Sequence, residues 1–246
     1  ILFYRLFMQE LLTFGRYLKK KHGVKVKKIP LSISGFTCPN IDGRIAKGGC
    51  TYCENESFSP NMSEVQSKNK FSLNPDSLEN PLLSQQLKEI DFQYSATSKR
   101  FKNEMGIENY IAYFQSFSNT YAPLDTLKTL YSHALSKPGM VGISIGTRAD
   151  CVEEGLFEYL AELSKEVDVW IEFGIQSTYN RVLDGINRAE SFEDIALRIK
   201  EAKSYGLNVC GHMIFGLPDE SETEMIEGMQ KVYDLFPFLH CYLDEL

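Results

Sequence analysis

Apolar runs of strand length alternate with amphipathic segments of helix length along most of this chain, and that alternation limits its fold more than any other feature. The five runs are rich in Ile, Val, Phe and Tyr and lie at residues 29–34, 109–115, 141–146, 168–175 and 208–216. They are continuously apolar, which is typical of parallel strands that are covered on both faces. Helices are predicted at residues 124–136, 153–166, 191–205 and 220–235. Repeated strand–helix units predict an α/β protein with a parallel sheet, either open or curled into a barrel.

The remaining segments are arranged around one core of this kind. A chain of 246 residues suits a single barrel-like unit, which we place at residues 29–236. Residues 1–28 are predicted to form an N-terminal helix and a basic segment, and residues 237–246 form a tail that does not match the core pattern. A polar stretch at residues 61–106 is predicted to be an inserted loop followed by a helix at residues 82–101.

Composition restricts the partners that such a core can take. Lysine and arginine number 26 against 33 aspartates and glutamates, so the net charge of −7 does not favour nucleic acid through bulk charge. Residues 16–28 contain seven lysines and arginines and no acidic residue, and they form either a solvated helix end or a phosphate-contacting patch. No apolar run approaches about 18 residues and no signal-peptide cleavage site follows the N-terminus, so we expect a cytoplasmic protein without a membrane partner.

Three of the six cysteines lie in one Gly-rich loop, FTCPNIDGRIAKGGCTYC, directly after the first predicted strand. Eleven residues separate Cys38 from Cys50, and two separate Cys50 from Cys53. Without a secretory signal, clustered cysteines indicate reactive or metal-binding thiols rather than disulfides. Three thiolates can bind three irons of a four-iron cluster and leave the fourth iron open to a substrate or cofactor. A structural zinc site is the alternative, although zinc prefers four ligands and no fourth Cys or His follows nearby.

The end of this loop, CTYC at residues 50–53, resembles the cluster motif of the radical S-adenosylmethionine (SAM) enzymes, C-x3-C-x-aromatic-C. The first gap departs from the usual form because it is eleven residues long, which resembles the branch that includes the catalytic subunit of Elongator. Further segments are similar, in the same order, to the YhcC-type radical SAM proteins over about residues 10–236. These segments are YIAYFQSFSNTYAP, GISIGTRADCV, EFGIQS and HMIFGLP.

The resemblance implies a partial (β/α)6 barrel of the TIM type, apparently truncated here after the fifth strand–helix unit. It also implies that Cys38, Cys50 and Cys53 hold a [4Fe–4S] cluster, and that SAM binds the open iron through its amino and carboxylate groups. The reduced cluster of such an enzyme splits SAM into methionine and a 5′-deoxyadenosyl radical, which abstracts hydrogen from a substrate. A one-electron donor such as flavodoxin or ferredoxin is the implied partner.

Several motif positions imply contacts to SAM. By resemblance, Tyr52 lies beside the adenine, and Gln176 and Ser177 face the ribose or the methionine end. Arg188 matches an arginine of the oxygen-independent coproporphyrinogen oxidases that pairs with the SAM carboxylate. Plain packing in the loop is the alternative for Tyr52, and a surface position on a helix is the alternative for Arg188.

Two further segments depart from the pattern of the relatives. The Gly-Gly-Glu run that many of them use for the SAM amino group is absent, and Gln115 and Ser116 offer weaker acceptors in its place. The strand-five segment implies packing on adenine around Gly216. In that segment His212 stands where the coproporphyrinogen oxidase has a ribose-binding aspartate, and a neutral imidazole can still hydrogen-bond a hydroxyl.

Other polar and sulfur-bearing residues on the predicted strands have structural explanations. Glu172 is interpreted as a satisfied interior carboxylate. Arg148 and Asp150 either face the cofactor or pair with each other. Cys151 and Cys210 are expected to pack as small apolar residues.

These features favour a radical SAM enzyme whose substrate is unknown. The first alternative is a zinc-stabilised binding module whose barrel does not catalyse a reaction. The second is an RNA-modifying radical SAM enzyme, suggested by the likeness to the Elongator branch and by the basic residues at 16–28. Iron with acid-labile sulfide, zinc alone, or salt-dependent RNA binding would distinguish the three.

Overall fold

Five parallel strands form one sheet, and their order in the sheet is their order in the sequence. The strands are β1 (Val26–Leu31), β2 (Asn109–Phe114), β3 (Met140–Thr147), β4 (Asp168–Gln176) and β5 (Asn208–Met213). The structure is a computed structural model, and it describes residues 13–53 and 71–235. Each strand pairs in parallel with the next, from β1 with β2 to β4 with β5. The predicted α/β class with a parallel sheet is therefore confirmed, and an unclosed sheet of this kind is consistent with a partial barrel.

Helices connect the strands. They are α1 (Phe14–His22), α2 (Leu83–Met105), α3 (Leu124–Leu135), α4 (Leu156–Leu163), α5 (Asn180–Gly185), α6 (Phe192–Ser204) and α7 (Glu222–Leu235). The helix predicted at residues 82–101 is α2, which is part of the crossover from β1 to β2. The remaining predictions for residues 1–12, 61–70 and 237–246 lie outside the described ranges. A bilayer-spanning helix, long and apolar enough to cross, is not found in the part of the chain that the structure describes.

The two faces of the sheet differ in character because successive strand residues point to opposite sides. Ile143 and Ile145 on β3 and Ile171 on β4 are fully buried in the main hydrophobic core, together with Leu127 and Leu130 of α3. The opposite face of the sheet carries most of the polar strand side chains, and we call this inner face the lumen. Its side chains include Lys28, Ser144, Trp170, Glu172, Cys210 and His212.

The sheet is strongly curved, as a contact across the lumen demonstrates. Neighbouring strands lie about 4.8 Å apart, so β1 and β4 would be separated by about 14 Å in a flat sheet. The ammonium of Lys28 on β1 nevertheless forms an ion pair with the carboxylate of Glu172 on β4. The other Glu172 oxygen lies 2.9 Å from Nε2 of His212 on β5. The sheet must therefore curl enough to bring its first and fifth strands around a single carboxylate.

Helix α1 lies against the amino ends of the strands. Its rings Phe14 and Tyr17 both meet Trp170 edge-to-face, with centroid distances of 5.0 and 5.6 Å. At the end of the helix, Lys21 and His22 pair with Asp168, the first residue of β4. These contacts fix α1 at the end of the barrel that is opposite to the carboxyl ends of the strands.

Some predicted bounds were wrong for identifiable reasons. Strand β1 begins at Val26 rather than residue 29 because Lys28, which belongs to a basic sequence run, is a lumen residue paired with Glu172. Strand β5 ends at Met213 rather than residue 216, and Gly216 has a left-handed backbone with φ of 83°. Helix α5 was not predicted, since its six residues depend on the packing of Val182 and Leu183 in a separate hydrophobic cluster.

Candidate functional site

The candidate site lies where the carboxyl ends of the parallel strands meet, which is the edge where α/β barrels place their chemistry. The cysteine loop follows β1, Gln115 and Ser116 follow β2, and Arg148 follows β3. Gln176 ends β4 and Ser177 comes directly after it. The fold thus brings most of the predicted cofactor residues to one end of the sheet.

Backbone hydrogen bonds hold the cysteine loop in a defined shape. The carbonyl of Cys38 accepts hydrogen bonds from the amides of Ile41 and Asp42, at 2.8 and 3.0 Å. The carbonyl of Cys50 accepts one from the amide of Cys53 at 2.9 Å. Cys38 and Cys50 are buried, whereas Cys53 is exposed. The loop therefore presents two thiols inside the site and a third at its rim.

The approach of the chain to Cys50 depends on two consecutive glycines. Gly48 and Gly49 have φ values of 88° and 74°, a region that disfavours residues with a Cβ. The side chain of Asn187 donates hydrogen bonds to the carbonyl of Gly49 at 2.7 Å and to that of Lys47 at 3.1 Å. The loop is thereby attached to the segment that follows α5.

The three thiols are not arranged around a single metal ion. Within residues 13–53 and 71–235, no three His, Cys, Asp or Glu side chains are grouped closely enough to ligate one ion. A four-iron cluster makes a different demand, because each thiolate binds a different iron and the sulfurs stand farther apart than the ligands of one ion. Three thiols are the donor set of a four-iron cluster with one open iron, and they are one ligand short of a tetrahedral zinc site.

Two buried guanidiniums lie beside the cysteine loop. Arg148 and Arg188 are only 3% and 4% exposed. Arg148 donates to Asp150 through Nε at 2.8 Å and Nη2 at 2.5 Å, so of the two alternatives left open for these residues the structure shows the pair. Burial raises the pKa of the Cys38 thiol, and the charges of Arg148 and Arg188 oppose that rise. The guanidinium charges therefore offset part of the effect of burial, which disfavours the thiolate form that ligates metal.

Arg188 is a buried site residue rather than a surface helix residue. Its Nη2 donates to the carbonyl of Gly174 at 2.7 Å and lies 2.8 Å from Oε2 of Glu190. Its Nε is buried and has no hydrogen-bond partner among the described residues. A buried N–H without a partner is costly, so this atom is available to an acceptor on a ligand.

Glu190 belongs to the candidate site, although it was not predicted from the sequence. Its side chain is 2% exposed, and Oε2 lies 2.8 Å from Arg188 and 3.7 Å from Arg148. Its Oε1 accepts the amide hydrogen of Asp150 at 2.8 Å. Burial raises the pKa of Glu190, and Arg188 opposes that rise. Arg188 is two residues away in the same segment, whereas Arg148 and Asp150 lie on the loop after β3, so a single sequence could not have predicted that these groups meet.

Tyr52 and the segment that follows β5 pack against one hydrophobic cluster. Tyr52 packs against a cluster that includes Val182 and Leu217, and Ile214 packs against the same cluster. Burial raises the pKa of the Tyr52 phenol well above its usual range, and the charge of Arg188 opposes that rise. The phenol therefore stays neutral, and an apolar wall is formed beside the cysteine loop.

Backbone strain is concentrated at this end of the sheet. Six non-glycine residues among those described have a left-handed backbone, at a cost of about 1–3 kcal/mol each in the general case. They follow β2, end β4, flank Arg188 or follow β5: Ser116, Phe117, Gln176, Asn187, Ala189 and Asp219. Strain of this kind clusters at binding and catalytic sites, so its location supports the assignment of the site.

The polar residues after β2 and β4 have the following partners. The hydroxyl of Ser116 lies 3.3 Å from that of Ser32, and the amide of Gln115 donates to the carbonyl of Leu31 at 3.2 Å. Ser177 is fully buried and donates to the carboxylate of Glu220. The Glu220 carboxylate is a second acidic group at this edge that the sequence did not indicate.

Two of the predicted cofactor residues, His212 and Gly216, make side-chain or backbone contacts outside the cysteine loop. His212 faces the lumen, where Nε2 is 2.9 Å from Glu172, and Glu172 is an interior carboxylate as predicted. Gly216 is exposed, and its amide meets the sulfur of Met225 at 3.2 Å. The basic residues at 16–28 belong to α1 and the start of β1, at the opposite end of the barrel from the cysteine loop. Their position offers no support for RNA contact at the thiols.

Comparison with known proteins gives a family match over most of the chain. The model of the radical SAM superfamily matches residues 41–232, which begins just after Cys38 and includes Cys50 and Cys53. Protein YhcC of Escherichia coli (strain K12) is 32% identical over 226 residues, covering 90% of this chain and 63% of that protein. YtqA of Bacillus subtilis (strain 168) is 33% identical, covering 91% of this chain and 62% of that protein. The chain thus spans less than two thirds of the length of these relatives.

Solved structures give a weaker match. Coproporphyrinogen III oxidase from Escherichia coli is 15% identical with a TM-score of 0.48, and the match covers 85% of this chain and 42% of that one. The archaeal Elp3 of Methanocaldococcus infernus is 14% identical with a TM-score of 0.48, covering 84% and 42%.

Proposed function

Because the chain belongs to the radical SAM superfamily, we propose that Cys38, Cys50 and Cys53 hold a [4Fe–4S] cluster with one iron left for SAM. A [4Fe–4S] cluster and SAM are the cofactors of this superfamily. The observation that carries the proposal is the loop after β1, where two buried thiols lie at the carboxyl end of the sheet beside the guanidiniums of Arg148 and Arg188. Adjacent cations favour thiolates, and only thiolates bind iron strongly.

When bound, the reduced cluster supplies one electron to SAM and so produces a 5′-deoxyadenosyl radical that takes hydrogen from a substrate. The residues of this chain bind the cofactor, orient it and exclude water. The unpartnered Nε of Arg188 is the proposed donor to the SAM carboxylate. Gln115 and Ser116 are the proposed acceptors for the amino group, in place of the carboxylate that many relatives have.

The adenosine part of SAM is assigned to the neighbouring surface. Tyr52 and the apolar cluster around Leu217 form the proposed wall for the adenine, with Gly216 beside it on the same segment. Gln176 and Ser177 are the proposed contacts to the ribose or methionine end. His212 keeps only a proposed second contact to the ribose, since its Nε2 already faces Glu172.

The remaining partners follow from the chemistry. One electron per turnover requires a donor, and flavodoxin or ferredoxin remains the proposed source. Thiols that must stay reduced are consistent with a cytoplasmic location, which we also propose. The class of the substrate is left open. The basic segment at residues 16–28 lies at the opposite end of the barrel from the cysteine loop, so it does not favour RNA as the substrate.

Anaerobic reconstitution with iron and sulfide, followed by dithionite and SAM, tests the proposal through the formation of 5′-deoxyadenosine. We expect an iron–sulfur absorption band and 5′-deoxyadenosine from the wild type, and neither from Cys50→Ala. The matched control is Cys151→Ala, which removes a buried thiol outside the loop and should retain both signals.

A protein that binds zinc but no iron under these conditions would contradict the proposal and favour the binding module. So would a Cys50→Ala variant with normal cluster and normal SAM cleavage. A cluster that forms without SAM cleavage would leave the thiol assignment standing and contradict the assignment of the SAM contacts.

A further inference from the structure

Asn40 is a fully buried polar residue of the cysteine loop, two positions after Cys38. Its side-chain nitrogen, Nδ2, donates to the sulfur of Cys50 at 3.5 Å. Both residues are buried, so the contact is shielded from solvent. A side-chain amide near the start of the loop therefore meets the sulfur of a proposed cluster ligand that lies ten positions further along the chain.

A second acceptor fixes the orientation of the Asn40 amide. The same nitrogen donates to the backbone carbonyl of Asn187. A carbonyl oxygen only accepts hydrogen bonds, so the NH2 end of the amide must face it, and the second hydrogen of that nitrogen is left for the Cys50 sulfur. The amide oxygen, Oδ1, is buried and has no partner among the described residues. Turning the amide over would bring this oxygen against the Asn187 carbonyl, so the group that faces the sulfur is a donor.

The long gap between the first two cysteines brings the chain back to this amide. The backbone N–H of Gly49 donates to the carbonyl of Asn40 at 2.9 Å, so the two ends of the eleven-residue gap meet. The side chain of Asn187 in turn donates to the carbonyl of Gly49 at 2.7 Å. These bonds join Asn40, Gly49 and Asn187, and they place Cys50 beside the Asn40 amide.

A hydrogen bond to a ligand sulfur acts on the charge of an iron–sulfur cluster. Adding one electron makes the cluster and its thiolates more negative, and an N–H dipole directed at a sulfur stabilises that added charge. Hydrogen bonds to the sulfurs are among the properties that set the reduction potential of such clusters. The effect is strongest where water is excluded, as it is around Asn40 and Cys50.

We propose that Asn40 is a positioning residue that raises the reduction potential of the cluster through an N–H···S hydrogen bond to Cys50. This role rests on the proposed function, because it requires a cluster on the three cysteines. The step concerned is the transfer of one electron from the donor, flavodoxin or ferredoxin, to the oxidised cluster, and no covalent bond forms or breaks in it. Asn40 thereby makes the cluster easier for that donor to reduce.

Pulsed electron paramagnetic resonance of the dithionite-reduced cluster, without SAM, tests the contact. The chain is produced with 15N in the side-chain amides of its asparagines, and the coupling of this nitrogen to the electron spin is measured. We expect the coupling in the wild type and its loss in Asn40→Leu. The matched control is Asn187→Gly, which removes the amide that holds Gly49 but keeps the backbone carbonyl that orients Asn40. Glycine tolerates the left-handed backbone of position 187, where φ is 54°, so this variant should retain the coupling.

Redox titration of the same proteins, followed by electron paramagnetic resonance, measures the consequence for the potential. Asn40→Leu removes the donor with little change in size and none in charge. We expect it to lower the equilibrium constant for one-electron reduction about tenfold, which corresponds to about 59 mV. Asn187→Gly loosens the same loop but should change that constant by less than about twofold. A purely structural Asn40 would instead give similar shifts in both variants.

Two results would overturn the proposal. One is a wild-type reduced cluster without an asparagine 15N coupling, which needs no variant to measure and decides the matter even if Asn40→Leu takes up no cluster. The other is an Asn40→Leu cluster whose potential equals that of the wild type. A wild-type chain that takes up no cluster would overturn the proposed function and this role with it, whereas a cluster without the coupling overturns this role alone.

Discussion

Glu190 is the carboxylate on which the buried guanidiniums of the candidate site depend. It lies 2.8 Å from Arg188 and 3.7 Å from Arg148, and its side chain is 2% exposed. Arg148 has a second carboxylate partner in Asp150, whereas Glu190 is the one ion-pair partner that Arg188 has within the described ranges. Neutralising Glu190 therefore leaves Arg188 as a buried cation that has lost its counter-ion.

The expected cost follows from these contacts. Glu190→Gln preserves the size of the side chain and an oxygen for the Asp150 amide, so the change is mainly one of charge. Removing one member of a buried ion pair costs about 3–5 kcal/mol. Arg188 keeps the Gly174 carbonyl at 2.7 Å, so we expect the lower end, about 3 kcal/mol. For a chain of this size about 1 kcal/mol corresponds to about 2–4 °C in Tm, which gives a loss of about 6–12 °C.

Thermal unfolding of the cluster-free protein, followed by circular dichroism at pH 7, measures this loss. The matched control is Glu162→Gln, which removes a carboxylate from the exposed pair with Lys165 and should lower Tm by no more than about 2 °C. The double variant Arg188→Met with Glu190→Gln removes the uncompensated charge and should recover part of the loss. A Glu190→Gln protein whose Tm equals that of Glu162→Gln would refute the reasoning. So would a double variant that is less stable than Glu190→Gln.

Two further predictions concern the lumen and the packing of α1 at the amino ends of the strands. The pKa of His212 is raised to about 10, so its pairing with Glu172 stabilises the fold fully below about pH 6.5 and is lost as pH rises toward 10. The free energy of unfolding should therefore fall more between pH 7 and 10 in the wild type than in His212→Gln, as urea titrations at each pH would measure; equal slopes would contradict this. Trp170 is the single tryptophan, so Phe14→Ala should shift its fluorescence emission to the red and cost about 1–3 kcal/mol. An unshifted emission would place α1 elsewhere.

The architecture could be predicted from the sequence because each strand is an uninterrupted apolar run. Val169 and Ile171 are fully buried on the outer face, and the apolar pattern of β4 follows from that burial. The errors arose where a polar residue faces the lumen. In the sequence Lys28 belongs to a basic segment, yet in the structure its ammonium forms an ion pair with Glu172 inside the barrel. Polar pairs between distant strands cannot be recognised in a single sequence.

The local parts of the candidate site could be predicted from the sequence, but the contacts between its segments could not. The cysteine loop is local in sequence, and its position after β1 followed from the strand pattern. Arg188 was expected from a resemblance, but its partner Glu190 was not, because the contacts of that carboxylate with the Asp150 amide and with Arg148 are set by tertiary packing. The ribose contact of His212 stays a prediction, whereas its pairing with Glu172 was not expected, because the register of β5 against β4 cannot be read from one sequence.

The contact of Glu172 with both Lys28 and His212 has a mechanical consequence. Lys28 is on the first strand and His212 on the fifth, and the structure describes no hydrogen-bonded pairing between those two strands. The Glu172 carboxylate therefore links the first and fifth strands across the gap between the two edges of the open sheet. Its pKa is held well below the usual range, because the His212 hydrogen bond and the Lys28 charge outweigh the effect of burial. Acid therefore leaves both contacts in place until the Glu172 carboxylate is protonated, whereas a rise of pH toward 10 removes the His212 proton and leaves the Lys28 contact alone across the gap.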